Sequence, residues 1–320
     1  MSVKTLSVET MACSTRLIIF WVIIGCVWGC ELTFDNTTVT LVGAKDVKTV
    51  SGCFSLTDDF VRVSYIQIIN ENVPVLRRDA ISGLPNVIDI IIDSSNVTEL
   101  EGGCFWDLPK LYLIKLRHNN FSTVREGVFN KLNIKELCLT NNSIETIHPR
   151  AFNDMPNLTM LQLDQNRIGY WSGEWFVDSP KINVLNFEYN LISNFPTSAL
   201  QHVNGVHYDS QVNLNISTHV HLNNNRIRYL SDGAFNGIEA FGWLFLHRNE
   251  IEEISESSLG SLRSVEWVRL EHNQLRCIPR KLVNISPKVL FYMSNNPFTD
   301  ECKNWSEALK KNLSGENELI

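Results

Sequence analysis

The sequence predicts an α/β solenoid, a stack of coils that each add one short strand to a parallel sheet. Three observations carry this. Eight asparagines (Asn119, Asn142, Asn166, Asn190, Asn225, Asn249, Asn273 and Asn296) recur at intervals of 23, 24, 24, 35, 24, 24 and 23 residues. Each lies three places after one apolar residue and two before another, as in IKELCLTNNSI (134–144) and LTMLQLDQNRI (158–168). Beyond that stretch a second block recurs, I-x-x-I-x-x-x-A-F-x-x-L-P, as in IETIHPRAFNDMP (144–156). Self-similarity at a fixed period of this length marks a repeat architecture, in which each unit buries its apolar face only against its neighbours.

Each element follows from that frame. The apolar positions of L-x-x-L-x-L-x-x-N-x-L point into the coil, and the asparagine turns the chain out of the strand while its amide bonds backbone groups of adjacent coils. The repeats begin near Val63, Val87, Leu111, Ile134, Leu158, Ile182, Ser217, Phe241 and Val265, with a degenerate last coil from Lys288. The first two carry Glu71 and Ser95 in place of the asparagine, as suits terminal repeats. Phe105, Phe129, Phe152, Phe176 and Phe235 are expected to stack as a second spine under the convex side. The 35-residue step adds eleven residues, and HVNGVHYDSQVN (202–213) is the expected inserted loop.

Four segments result: a targeting segment at 1–29, an N-terminal cap at 30–60, about nine repeats over 61–287, and a C-terminal cap with a short tail at 288–320. Lys4 and Arg16 precede an apolar run from Leu17 to Trp28, and Val27 and Gly29 suit the cleavage positions of a secretory signal peptide. The run is short for a membrane span, so stable membrane insertion is not expected. The polar ending GENELI lacks the apolar tail of a lipid-anchor signal. A secreted, extracellular chain is expected. Nine N-x-S/T sequons fit that compartment: Asn36, Asn96, Asn120, Asn141, Asn157, Asn215, Asn284, Asn304 and Asn312.

Six cysteines remain after the leader. Cys30 and Cys53 precede the first repeat, and Cys277 and Cys302 bracket the last, so a disulfide at each exposed end of the core is the natural reading. Cys104 takes the small buried slot that Ala151, Ala199 and Ala234 fill in other repeats. Cys138 lies between Leu137 and Leu139, which points it outward and makes it a candidate intermolecular thiol.

These repeats resemble the extracellular, typical-type leucine-rich repeat family, which includes Slit, Toll ectodomains and small matrix proteoglycans. The resemblance covers roughly residues 60–300. It implies a leucine-rich repeat horseshoe with a parallel β-sheet on the concave face and short helices or loops on the convex face. The ending LRCIPRKL…NNPFTDECKNW is similar to the family's C-terminal cap, with Cys277 standing in for one absent cysteine. The N-terminal segment departs from the usual four-cysteine cap. A fainter resemblance is to the secreted insect leucine-rich immune proteins, whose coiled-coil tail is absent here. Immune, adhesion or signalling roles are what these resemblances imply.

Side chains alternate along a strand, so repeat positions 3, 5, 7 and 8 face the concave side. The middle coils place ordinary polar residues there. The later coils place His219 and His221; then Trp243, Phe245, His247 and Arg248; then Trp267, Arg269, Glu271 and His272; then Tyr292. Aromatic and arginine side chains outside a core are the types enriched at binding hot spots. No G-x-S-x-G, H-E-x-x-H, P-loop or C-x-x-C pattern occurs, so neither catalysis, a cofactor nor a metal is expected. A net charge of −7 without a basic stripe argues against nucleic acid. The expected function is recognition of an extracellular protein or glycan through the concave C-terminal half. The alternative is a matrix component that self-associates as a homodimer through Cys138.

Overall fold

The computed structural model describes residues 33–42, 46–52, 62–203, 207–209, 214–238, 241–258, 262, 265–279 and 289–302. The expected leader lies outside them, as do Cys30, Cys53 and the sequons at Asn284, Asn304 and Asn312. One 12-stranded sheet runs through the molecule. It begins with β1 (Phe34–Val42) and β2 (Asp46–Gly52), an antiparallel pair that caps the first coil by pairing with β3 (Tyr65–Ile69). From β3 on, every strand is parallel to the last: β4 (Asp89–Asp93), β5 (Leu113–Lys115), β6 (Glu136–Cys138), β7 (Met160–Gln162), β8 (Val184–Asn186), β9 (Thr218–His221), β10 (Phe241–Phe245), β11 (Trp267–Arg269) and β12 (Leu290–Tyr292).

The asparagines do the work the sequence assigns to them. In each coil Nδ2 donates both to a carbonyl of its own strand exit and to one of the preceding coil. Asn166, for instance, reaches Leu163 O and Leu139 O, both at 3.0 Å. Its Oδ1 accepts from Ile144 N at 3.0 Å, again one coil back. Asn190, Asn225, Asn249, Asn273 and Asn296 repeat this geometry. Ser95 performs the same service with a hydroxyl, donating to Ile68 O at 3.2 Å. Ahead of each ladder position the chain turns through a left-handed residue, from Asn70 (φ 59°) to Asn295 (φ 57°). Buried backbone groups need partners, and a side-chain amide supplies both polarities at a corner where no strand can.

The core is one continuous apolar column through all the coils. Cys104, Ala151, Ala199 and Ala234 share the small buried slot as expected, and burial pushes the Cys104 thiol's pKa up. The phenylalanine spine holds from Phe105 through Phe129 and Phe152 to Phe176, with centroids 6.2, 6.4 and 6.2 Å apart. It does not continue to Phe235 directly. Leu200 occupies the phenylalanine position of the intervening coil, and the ring contacts detour through Trp171, 5.8 Å from Phe176 and 4.8 Å from Phe195. Phe195 then meets Phe235 at 5.1 Å. Gly237 sits where that coil crosses its neighbour. It has φ +109°, and a Cβ there would lie 2.7 Å from Leu200 O, so only glycine fits.

The eleven extra residues leave the sheet unbroken: Val184 pairs with His219 and Asn186 with His221 across the insertion. Within 202–213 the described strand His207–Asp209 pairs antiparallel with Leu214–Ile216, which follows the expected insertion and leads directly into β9.

At the far end Cys277 and Cys302 form a disulfide with Cα atoms 5.4 Å apart, across a sequence separation of 25. Closing a loop of that size stabilises the protein by roughly 3 kcal/mol in the chain-entropy account. Cys277→Ser is therefore expected to lower urea-unfolding stability by about that amount. Reductant should destabilise the unaltered chain by at least as much.

Candidate functional site

β9, β10, β11 and β12 bring the expected concave residues together. Strand register sets His219, Trp243, Trp267 and Leu290 in one row, and His221, Phe245, Arg269 and Tyr292 in the next. The two indoles stack with centroids 5.1 Å apart and planes 10° from parallel. That spacing is close to the roughly 4.8 Å between neighbouring strands, so the rings stack along the sheet and turn their edges to the concave space. The His219 ring lies 4.6 Å from Trp243 on the other side, and Tyr292 meets Trp267 edge-on at 6.4 Å. In the next row His221 and Phe245 are 4.5 Å apart, and Phe245 touches His247 at 6.2 Å. The stripe covers itself only in part, for Trp267 remains 39% exposed.

Charge flanks the rings. Arg269 donates from Nε and Nη2 to Glu271 Oε1 at 2.9 and 2.7 Å, along one strand. Arg248 and His272 occupy the left-handed corners and are exposed at the rim rather than within the ring contacts. Burial holds all three stripe histidines below the ordinary imidazole pKa. His221 falls to about 4, with His219 and His247 adding to the effect; Arg269 further depresses His247. The stripe is uncharged at neutral pH except for its arginine–glutamate pair and its rim.

Among the described residues, six buried side-chain polar atoms lack a hydrogen-bond partner, and five belong here: His219 Nδ1, Asn223 Oδ1, Trp243 Nε1, His247 Nδ1 and Glu271 Oε2. Each such atom costs about 1–3 kcal/mol relative to a satisfied one. Sequence reasoning missed this concentration, and it missed Gly242. A Cβ at Gly242 would lie 2.5 Å from Ser217 Oγ and 2.7 Å from His219 Cε1. The glycine is what lets His219 lie across β10 and reach Trp243.

Two other expectations change. Cys138 does face the concave side and stays outside the main core cluster, but it is only 4% exposed. Its Sγ contacts Thr140 Oγ1 at 3.2 Å, and longer side chains, Lys115 and Gln162, stand in register on either side. A short side chain between long neighbours is covered, so the expected exposed thiol is not there. The middle coils also hold more than scattered polar residues. Arg117 donates to Asp93 through Nε at 3.0 Å, through Nη2, and through its backbone N–H, which anchors the adjacent strands. Of the described sequons, Asn96, Asn120 and Asn141 are exposed, whereas both ends of the Asn157 amide are bonded, to Asn133 and Lys181.

The profile described as Leucine rich repeat matches residues 62–121, 109–168 and 218–275, together more than half of the sequence. The chain belongs to the leucine-rich repeat family. Its matched repeats flank the insertion and include β9 to β11, the strands of the aromatic stripe. A curated relative, the rat leucine-rich repeat-containing G-protein coupled receptor 5, is 37% identical over 93 residues, which are 27% of this chain and 10% of the receptor. Among solved structures, the Drosophila Toll–Spatzle complex contains a chain that matches with a TM-score of 0.56 and 18% identity, covering 75% of this chain and 36% of that one. A chain of the complex of TLR13 with ssRNA13 matches with a TM-score of 0.48 and 19% identity, over 80% and 43%. The chain thus spans a tenth of the length of the receptor and less than half of either solved chain. Among the described residues, no helix is long and apolar enough to cross a membrane.

Proposed function

We propose that this leucine-rich repeat chain is a secreted, non-catalytic recognition protein whose C-terminal concave half seats an extracellular protein partner. One observation carries the reading: five of the six partnerless buried polar atoms among the described residues lie on or just after β9, β10 and β11, among the aromatic rings of the stripe. Exposed aromatic area beside rim arginine is the composition of a binding hot spot. The ring geometry favours protein over glycan. Sugars lie against open ring faces, and here Trp243 has Trp267 stacked on one face and the tilted His219 ring 4.6 Å away. Ring edges suit apolar and aromatic side chains in edge-to-face contact. The Cys277–Cys302 disulfide fits an oxidising compartment, as do the sequons and the apolar leader. Among the described residues both free thiols, Cys104 and Cys138, are buried, which counts against a covalent homodimer through Cys138.

The test is capture from the native extracellular fluid. Trp243→Ala combined with Trp267→Ala is expected to weaken partner capture by about 30-fold or more, the effect of losing a hot spot worth about 2 kcal/mol. Circular dichroism should report an intact fold. Undiminished capture by the double variant would remove the stripe from the function.

A further inference from the structure

The stripe contains three of the eight histidines of the sequence, and their placement suggests how docking is controlled. His219 and His221 project from β9, and His247 follows β10. All three pack against aromatic rings. We propose that this trio makes the docking face acid-labile: the ring stack closes around three uncharged imidazoles and comes apart when they take up protons. The inference rests on the reading of the stripe as the docking face, and it names how that face is regulated.

A neutral imidazole needs one acceptor for its single N–H, whereas an imidazolium has two N–H donors and a charge. His219 Nδ1 and His247 Nδ1 are buried without a partner, so a second proton on either ring would find no acceptor in place. His219 lies against Gly242 of the next strand, in the space that a Cβ there would fill. The surroundings add to the resistance. His221 sits between the other two imidazoles, and each depresses its protonation. Arg269, Arg248 and His272 oppose charge on His247, while Glu271 favours it. Glu266, just ahead of β11, favours charge on His219. Glu188, beyond the end of β8, accepts from Asn224 Nδ2 at 3.2 Å. A cation resting on an indole face gains some attraction, but the partnerless N–H groups, burial and the mutual repulsion of three like charges outweigh it.

The sign follows from linkage. In the unfolded chain these histidines protonate near pH 6.5, and in the folded chain lower, at about 4 for His221. The closed stack therefore contributes its full stability above about pH 6.5 and loses it as the pH falls towards about 4.

The experiment needs no partner. Indoles packed in a fixed asymmetric setting give near-ultraviolet circular dichroism, and Trp243→Phe identifies the part of that signal due to the stacked pair. In the full chain this signal is expected to be lost, reversibly, between about pH 6.5 and about pH 4. It should persist through that range when His219, His221 and His247 are all replaced by glutamine. If the triple variant does not fold, His221→Gln alone should shift the midpoint of loss to lower pH. A signal that survives to about pH 4, or that is lost at the same pH in the glutamine variants, overturns the proposal. Failure of the docking reading would appear instead in the capture experiment at neutral pH.

Discussion

Replacing Asn190 with alanine is expected to destabilise the protein by about 3 kcal/mol or more. The side chain is buried and bonds four backbone groups: Leu163 O at 2.9 Å, Phe187 O at 3.2 Å, Glu188 O at 3.3 Å and Ile168 N at 3.0 Å. Removing it leaves those groups in a region closed to solvent, at about 1–3 kcal/mol for each group left fully unsatisfied. Asn190→Leu separates this effect from the loss of volume, because leucine refills the space and makes none of the bonds. Urea unfolding should therefore find the two variants destabilised to a similar degree. A leucine variant as stable as the unaltered chain would mean that the ladder contributes packing and not hydrogen bonding.

Trp175→Ala should cost still more, about 4–5 kcal/mol, at the upper end for a large buried aromatic side chain. Trp175 is fully buried in the 3₁₀ turn Gly173–Phe176. Its ring stacks 6.0 Å from Phe187 at 9°, lies 5.6 Å from Trp171 and meets Tyr170 edge-on at 5.4 Å. Its Nε1 donates to Ile147 O at 3.2 Å, which no apolar replacement can do. Trp175→Phe keeps much of the packing and loses the bond, so a loss of about 1–2 kcal/mol is expected. Equilibrium unfolding of both variants checks the account. A loss below about 1 kcal/mol for the alanine variant would show that the cluster collapses around the hole.

The scaffold was legible in the sequence because its demands are local and repeat. Every coil must bury the same apolar positions and satisfy the same backbone corner, so Asn166 and Asn273 sit in equivalent frames although 107 residues apart. The concave rows were legible for the same reason: once the ladder fixes the register, alternation assigns Trp243 and Trp267 to one column. What escaped depends on neighbours rather than on period. Cys138 is outward by alternation, yet the lengths of Lys115 and Gln162 on flanking strands decide its exposure. Gly242 reads as an ordinary strand residue until His219 is seen lying over it. The Asp93–Arg117 bond joins two polar residues that look like a solvated surface when each is read alone. Leu200 in a phenylalanine position moved the ring path sideways, and the replacement ring, Trp171, came from the preceding coil.

That sidestep has a mechanical consequence. Ring contacts run unbroken from Phe105 through Phe152, Phe176, Trp171, Phe195 and Phe235 to Phe241. The path passes beneath the coil that carries the eleven extra residues. A linear array usually yields at its most irregular coil, because each unit leans only on its neighbours. Here the irregular coil is bolted to both sides by Trp171 and Phe195. Under pulling force or heat, the coils bearing the aromatic stripe should give way together with the first half of the molecule rather than peel off ahead of it.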